Sequence, residues 1–244
     1  MSSAEEHDYS ASIAGALESQ DESLRLHAAL AAGTHPHPSL VEPLVRRCGV
    51  EPDFFVRENL SWALTRLPAD DVLPRLQREL TSKNFFARTQ AVHTLSKIGD
   101  RRAWPWITAD LLHDPDDDLA RTAWRAAAAL VPDDEVSALA GELVTELGRG
   151  DDGVRMALSV ALLGLGEPAV TPVQAAMKSP ESAVAEHARA TELMRTRPDL
   201  TFAGAARRPN ASSPRAARRA DSPLEAHTLT QRAYNDPPFR ACEV

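Results

Sequence analysis

Aromatic residues and glycine are scarce in this chain. Phe, Trp and Tyr together make up 5% of the 244 residues, and there are 11 glycines. The chain also lacks β-branched or aromatic runs with period-2 alternation, which mark half-buried strands. Its apolar share of 43% is largely Ala, Leu and Val, and Ala and Leu are good helix formers. These absences exclude a β-sandwich or barrel and predict an all-α protein.

Cysteine and long apolar runs are also rare. The two cysteines, Cys48 and Cys242, lie far apart without the CxxC spacing of a zinc site or redox pair. The N-terminus lacks a basic segment followed by an apolar one, and no run approaches the ~18 apolar residues of a membrane span. We therefore expect free thiols, no membrane partner and a cytoplasmic location.

The net charge of −8 is unevenly distributed. Residues 203–244 contain seven arginines and four acids, so the remaining residues carry −11. Affinity for nucleic acid rests largely on Lys and Arg that neutralise phosphates. We therefore do not expect the acidic body to bind nucleic acid, whereas the basic segment at the C-terminus is a candidate for it.

A repeat of 31 to 34 residues runs through most of the chain. Its marker is an arginine that recurs at spacings of 32, 31, 33 and 34: Arg25, Arg57, Arg88, Arg121 and Arg155. Three residues after each arginine stands a packing residue: Ala28, Leu60, Ala91, Trp124 and Leu158. These offsets mark one helical face in each of five units.

Prolines and acidic loops recur at similar positions in the same units. Pro43, Pro74, Pro105 and Pro172 follow the arginine by 17 or 18 residues. Because proline is tolerated in the first turn of a helix, we expect a second helix to start near each one. The aspartates of Asp114–Asp118 are expected to cap the next helix rather than to bind calcium.

The repeated pattern resembles HEAT repeats. It consists of a VR pair, an alanine-rich helix, GD or GEP, and a second helix that begins with proline. The likeness is to the short HEAT-like repeats of the phycobilin lyase type, over about residues 22–195, with Ala185 replacing the arginine in a degenerate last unit. It implies a right-handed α-solenoid of about five to six helical hairpins with an extended curved surface. We divide the chain into a partly disordered lead-in (1–21), the repeat domain (22–200) and a disordered basic tail (201–244).

The recurrent arginines and a second set of residues have different predicted roles. A residue present in every unit is more simply a structural element than a ligand for an anion. We therefore predict a structural ladder in which each arginine pairs with an acid or carbonyl of the adjacent repeat. Its members are Arg25, Arg57, Arg88, Arg121 and Arg155.

Two helical stripes differ from their equivalents in other units. Phe55, Asn59, Trp62 and Arg66 are spaced 4, 3 and 4, and Phe86, Gln90, His93 and Lys97 repeat that spacing. The matching positions of the fourth and fifth units are apolar or small. Since Trp and Arg are enriched at binding hot spots, we predict a partner-binding patch of Asn59, Trp62, Arg66, Gln90, His93 and Lys97. The alternative is that Trp62 and the phenylalanines only fill space between helices.

Catalytic and cofactor motifs are absent. The chain has no GxSxG, GxxxxGK, HExxH or His-Glu dipeptide, so we assign no catalytic residue, metal or cofactor. HEAT-like repeats occur in adaptors, chromophore lyases, a metal-dependent hydroxylase and DNA glycosylases, so the fold leaves function open. Our first hypothesis is a non-enzymatic scaffold that binds an unidentified protein on its curved surface.

Two alternatives remain open. One is a HEAT-like enzyme of the DNA glycosylase or chromophore lyase type, and the other is nucleic-acid association through the tail. A continuous positive groove with Trp62 or Trp124 beside a carboxylate would favour DNA repair. A mixed or acidic groove would favour a protein partner.

Overall fold

The computed structural model describes residues 3–197, and within them it contains helices and no strand. Short 3-10 helices, Pro38–Leu40 and Arg101–Trp106, accompany the longer ones. In chain order the α-helices are α1 (Ser3–Ala16), α2 (Glu22–Thr34), α3 (Val41–Cys48), α4 (Phe54–Thr65), α5 (Ala69–Glu79), α6 (Phe85–Ile98), α7 (Ala109–Leu112), α8 (Asp117–Leu130), α9 (Val136–Val144), α10 (Asp152–Gly164), α11 (Glu167–Ala176) and α12 (Ser182–Thr196).

The helices form a solenoid-like stack of hairpins. The first helices of the hairpins, here called A helices, are α2, α4, α6, α8, α10 and α12, and each packs against the next. The returning B helices are α3, α5, α7, α9 and α11; α3 packs on α5 and α9 on α11. Five complete hairpins and one further A helix therefore lie within the described residues. The expectation of an all-α solenoid is confirmed.

The hydrophobic core extends along the stack of hairpins and is not a single central core. The residues three after each repeated arginine are all buried in it: Ala28, Leu60, Ala91, Trp124 and Leu158. Each fully buried Leu contributes ~1.5–3 kcal/mol from the apolar surface that it removes from water. One continuous cluster extends from Ile13 to Ala188, so neighbouring hairpins stabilise one another.

Short polar side chains set where the A helices begin. The first five A helices each follow an N-cap whose side chain accepts hydrogen bonds from the first turn: Asp21, Asp53, Asn84, Asp116 and Asp151. In the run Asp114–Asp118, Asp116 accepts from the N–H groups of Asp118 and Leu119. The acidic loops thus satisfy helix ends, as predicted.

The prolines do not mark the starts of the B helices as closely as predicted. Pro74 and Pro172 lie inside α5 and α11, each five residues after the first residue of its helix. The apolar face of α5 begins before the proline, at buried Val72 and Leu73, and burial of that face extends the helix backwards. The expected start was therefore wrong by more than one turn in these two helices.

Part of the predicted lead-in contributes to the core. Within residues 1–21 the chain forms α1, and Ile13 and Leu17 are buried against the first hairpin. This packing extends the ordered array before residue 22. The predicted boundary near 200 and the tail 201–244 lie outside the described residues.

Candidate functional site

The first repeated arginine is buried in an ion-pair network. Arg25 donates from Nε and Nη2 to the two carboxylate oxygens of Glu51, at 2.8 and 2.9 Å. Glu51 is fully buried and also accepts from Arg47 and from the Asp53 N–H. Although burial opposes ionisation, these donors lower the pKa of Glu51 to about 2. The network joins the first hairpin to the loop that starts the second.

Three of the other arginines bond to backbone carbonyls. Arg57 donates from Nη1 to the carbonyls of Glu51 and Pro52, at 2.9 and 2.7 Å. Arg88 and Arg155 donate to the carbonyls of Ser82 and Gly148, respectively. In each case the acceptor lies five to seven residues upstream, in the loop that connects the arginine's helix to the preceding hairpin.

Arg121 departs from this arrangement. Its Nη2 lies 2.9 Å from Asp118 of the same helix, and both side chains are well exposed. Near the start of α8, Arg149 donates to the Asp114 carbonyl of the preceding loop, and Trp124 donates to the Leu112 carbonyl at the end of α7. Arg121 instead makes its ion pair with Asp118 at the surface.

Trp62 is both a packing residue and an exposed one. Its side chain remains 40% exposed, yet its ring lies directly on Gly33 of α2. A Cβ atom at position 33 would come within 2.1 Å of the ring, so only glycine fits beneath it. Arg66, at the end of α4, is also exposed. Trp62 and Arg66 are thus available to a partner, with the tryptophan held in place from below.

His93 and Lys97 meet an acid that sequence reasoning did not single out. His93 Nε2 lies 2.9 Å from Glu58 of α4, an ionic contact without good hydrogen-bond alignment, and Lys97 Nζ lies 3.7 Å from the same carboxylate. The contact with His93, and then the charge of Lys97, hold the pKa of Glu58 below its ordinary value. These contacts connect α4 to α6, although Lys97 remains exposed.

Gln90 is not on the exposed part of the predicted patch. It is buried, and its Nε2 donates to Ser61 Oγ at 2.9 Å; Ser61 also lies 3.1 Å from Thr94 Oγ1. Its polar side chain serves this contact because a buried amide needs a partner. Asn59 donates to the Phe55 carbonyl within α4. The structure therefore exposes Trp62, Arg66 and Lys97, leaves the His93 side chain 15% exposed with its Nε2 buried, and turns Gln90 inward.

The same buried network recurs at the end of the array. Ser159 Oγ lies 3.0 Å from His187 Nε2 and 2.7 Å from Thr191 Oγ1. Ser159 occupies the repeat position of Ser61, four residues after the arginine, and His187 takes the position of Gln90. His187 also accepts from the Gly148 N–H, and burial lowers its pKa to about 4. The accepting nitrogen requires the neutral ring.

A groove crosses α4, α6 and α8, and its lining includes Gln90 and His93 of the predicted patch. We call it the α4–α8 groove. It has a volume of about 150 Å³. Three arginines and one glutamate contribute to its walls, so its lining is mixed and on balance positive. The lining residues are Phe54, Arg57, Glu58, Thr89, Gln90, His93, Arg121, Thr122 and Arg125.

Sequence reasoning missed the contribution of α8 to this surface. Four residues after the repeated arginine the five units carry Ala29, Ser61, Val92, Arg125 and Ser159. The charged residue in the fourth unit is the signal that would have extended the site beyond α4 and α6. The stripe positions of α8 that appeared apolar are indeed buried, including Leu119 and Ala126.

Neither tryptophan considered for DNA repair lines the groove. Trp124 is fully buried and donates to the Leu112 carbonyl, and Trp62 packs on Gly33. Within residues 3–197, no cluster of three or more His, Cys, Asp or Glu side chains could hold a metal ion. Every helix in that range is too short or too polar to cross a lipid bilayer.

Comparison with protein families identifies the repeat. Residues 51–130, from the loop before α4 through α8, match the family model described as HEAT repeats. This part of the chain therefore consists of HEAT repeats, and the resemblance inferred from the arginine spacing is confirmed. The matched span contains the α4–α8 groove and the exposed part of the predicted patch. A search of the curated proteins found no match.

Solved structures with similar helix arrangements are distant. An engineered protein is 21% identical, with 77% of this chain and 97% of that chain covered and a TM-score of 0.43. A second engineered protein is 19% identical over 76% and 57% of the respective chains, with a TM-score of 0.40. The complex of CpcE and CpcF of phycocyanin lyase from Nostoc sp. PCC7120 is 19% identical over 80% and 90%, with a TM-score of 0.38. At these scores the lyase subtype of the repeats stays a prediction.

Proposed function

We propose that this protein is a non-enzymatic scaffold that binds a partner protein on the A-helix surface of its second to fourth hairpins. The observation that carries the proposal is that Trp62 is exposed to solvent while its ring packs on Gly33. A large ring is left 40% exposed while Gly33 makes room beneath it. Aromatic anchors held by their surroundings and flanked by Arg are typical of binding hot spots.

The residues around Trp62 fit a protein interface. Arg66 follows Trp62 by four residues and is exposed, as is Lys97 of α6, and the His93 side chain is 15% exposed. A rim of polar and charged groups around an aromatic centre is the usual anatomy of such an interface. We expect Trp62 to supply most of the binding free energy and the charged residues to supply orientation and specificity.

The lining of the α4–α8 groove supports a protein partner over a DNA-repair activity. Its mixture of Arg57, Arg121, Arg125, Glu58 and His93 lacks the continuous positive character and the tryptophan that a glycosylase site would need. We therefore retain the scaffold as the proposed function. A cytoplasmic location belongs to the same proposal; Cys48 is a buried free thiol, and Cys242 lies outside the described residues. Nucleic-acid association through residues 201–244 stays an alternative proposal.

The experiment compares partner capture by two matched variants of the full chain. Val160 occupies in α10 the repeat position that Trp62 occupies in α4, and it is 52% exposed. Wild type, Trp62→Ala and Val160→Ala are immobilised and exposed to extract from the source cells. We expect partners held by wild type and Val160→Ala to lose ~2 kcal/mol or more with Trp62→Ala, about thirtyfold in affinity.

Thermal unfolding of the same three proteins separates binding from folding. If capture per folded molecule is unchanged by Trp62→Ala, Trp62 is a packing residue and the proposed surface is wrong. If both variants capture less partner, the substitutions have disturbed the repeat fold rather than removed a binding site.

A further inference from the structure

The α4–α8 groove has the charge and geometry of a carboxylate-binding site. We propose that it binds acidic side chains, Asp or Glu, of a segment of the partner protein. This inference rests on the proposed function and adds to it the chemistry of the partner. It also extends the surface from Trp62 into the fourth hairpin, through Arg121 and Arg125.

Arg57 forms one wall and is held in position before any ligand arrives. Its Nη1 donates to two carbonyls, and its guanidinium carbon lies 5.9 Å from the Phe54 ring centre and 5.1 Å from that of Phe86. The two bonds involve one nitrogen of a group that has five N–H donors. A planar guanidinium already ordered by carbonyls and rings loses little conformational entropy when it pairs with a carboxylate.

Arg121 and Arg125 form the opposite wall. They are one turn apart on α8, so their side chains share a face of the helix. Arg121 pairs with Asp118, but the side chains are 45% and 66% exposed, and an exposed pair contributes only ~0–1 kcal/mol. A ligand carboxylate can therefore exchange with Asp118 at small cost. Arg57 and Arg121 are both repeated arginines, and both line the groove.

Glu58 does not cancel the positive charge of these walls. It is the single carboxylate among the described lining residues, and His93 and Lys97 of α6 already lie against it. The lowered pKa of Glu58 reflects these contacts, that with His93 first. The groove thus presents cationic walls in a chain whose net charge is −8, and a local anion is the complementary ligand.

Size and surroundings favour an acidic peptide over nucleic acid. A volume of about 150 Å³ accommodates one or two side chains, well below the ~300–1,000 Å³ of pockets that enclose a drug-sized ligand. A nucleic-acid strand would extend its phosphates beyond the three arginines and over an acidic protein, where they are repelled. A peptide can place Glu in the groove and apolar side chains on Trp62.

The test uses short synthetic peptides and the full chain labelled with ¹⁵N. One peptide alternates Glu with Ala, the second has Gln in place of Glu, and the third has Lys. A single-stranded oligonucleotide is the fourth probe. We expect the Glu peptide to shift the amide resonances of α4, α6 and α8 around Arg57, Thr89 and Thr122, with an affinity that falls as salt is added. The Gln and Lys peptides should produce no such shifts.

Charge-removing variants identify the walls. Arg121→Gln and Arg125→Gln should each weaken the Glu peptide about tenfold or more, because a charge-assisted hydrogen bond is lost. Arg101→Gln is the control, since Arg101 is an exposed arginine outside the groove. Unchanged affinity in both groove variants, or resonance shifts confined to other helices, would overturn the inference, as would binding of the oligonucleotide in preference to the Glu peptide.

The same variants distinguish failure of this inference from failure of the scaffold. Partner capture that requires Trp62 but tolerates Arg121→Gln and Arg125→Gln would refute the carboxylate site and leave the proposed function intact. Capture that is indifferent to Trp62 and to both arginines would refute the site and the proposed surface together.

Discussion

Arg25 and Glu51 form a buried bidentate ion pair between the first hairpin and the loop that begins the second. Glu51 has no exposed surface and also accepts hydrogen bonds from Arg47 and the Asp53 backbone. Burying two charges is costly, and the pair persists because every carboxylate oxygen has a donor. The pair therefore determines how the first two hairpins meet.

Loss of either partner should destabilise the protein strongly. We expect Glu51→Gln and Arg25→Ala to lower the free energy of unfolding by ~3–5 kcal/mol, because an uncompensated buried charge remains. Urea denaturation at neutral pH measures the effect. The control is Glu18→Gln, which breaks the exposed Glu18–Arg46 pair and should cost ~0–1 kcal/mol. Equal losses at the two sites would contradict the assignment.

The buried His187 should make stability fall on mild acidification. Its pKa is about 4 in the folded protein, against 6.5 for an ordinary histidine. Between these values the unfolded chain binds a proton that the folded chain does not, so stability is full above pH 6.5 and decreases towards pH 4. The expected loss is about 3 kcal/mol, at 1.36 kcal/mol for each pH unit.

His187→Gln provides the check on that pH dependence. Gln occupies the equivalent repeat position in α6, where Gln90 bonds to Ser61, so the variant keeps a donor for Ser159 and removes the titrating ring. In His187→Gln, the urea midpoint should change much less than in wild type between neutral pH and about pH 4. An unaltered slope would assign the acid sensitivity to other groups; His27→Gln, on the exposed side of α2, is the matched control.

His113 should respond to pH in the opposite direction. Its ring nitrogens lie 2.5 and 2.6 Å from Glu142 of α9 and from Glu146 just after that helix, and these acids raise the pKa of His113, Glu142 most strongly. A raised pKa means that the folded state holds the proton more tightly. The contribution is present below the unfolded pKa and is lost as pH rises through the folded one.

The expected size of this effect is small, ~0–1 kcal/mol, because the site is partly exposed. His113→Gln should flatten the loss of stability on the alkaline side of pH 6.5, and added salt should weaken the wild-type contribution. The predicted direction would be wrong if wild type were less stable at acidic than at neutral pH and His113→Gln removed that difference.

Gly33 and Trp62 should be energetically coupled. Gly33→Ala would place a Cβ atom 2.1 Å from the nearest atom of the Trp62 ring and is expected to destabilise the protein by ~1–3 kcal/mol through overpacking. In a Trp62→Ala background the clash disappears, and the same change should be neutral or stabilising by up to ~1 kcal/mol, since Ala is the better helix former. A double-mutant cycle from urea unfolding measures the coupling; additive effects would contradict the contact.

Arg88 should matter more for folding than Lys97. Arg88 donates to the Ser82 carbonyl at 2.8 Å and lies over the Phe85 ring, whereas Lys97 is exposed and 3.7 Å from Glu58. We expect Arg88→Ala to cost ~1.5–3 kcal/mol and Lys97→Ala ~0–0.5 kcal/mol, by thermal or urea unfolding. Similar costs would contradict the predicted ladder.

The sequence by itself determined the local structure of this protein. The arginine spacing predicted the repeat, the residue three positions later predicted the buried face, and the aspartate loops predicted caps such as Asp116. These features are readable because they depend on helix periodicity and on hydrogen bonds between residues a few positions apart. The prolines gave the wrong start for two B helices; in α5, the apolar face already begins before Pro74.

The tertiary structure alone decided which side chains of different hairpins meet. Gln90 and Lys97 belong to the same stripe, yet Gln90 is buried against Ser61 while Lys97 is exposed. Arg57 and Arg121 occupy the same repeat position, yet Arg57 bonds to loop carbonyls whereas Arg121 pairs with the exposed Asp118. Such outcomes depend on how closely neighbouring helices approach and on which acceptors remain available there, and both are set by packing between hairpins rather than by periodicity within one helix.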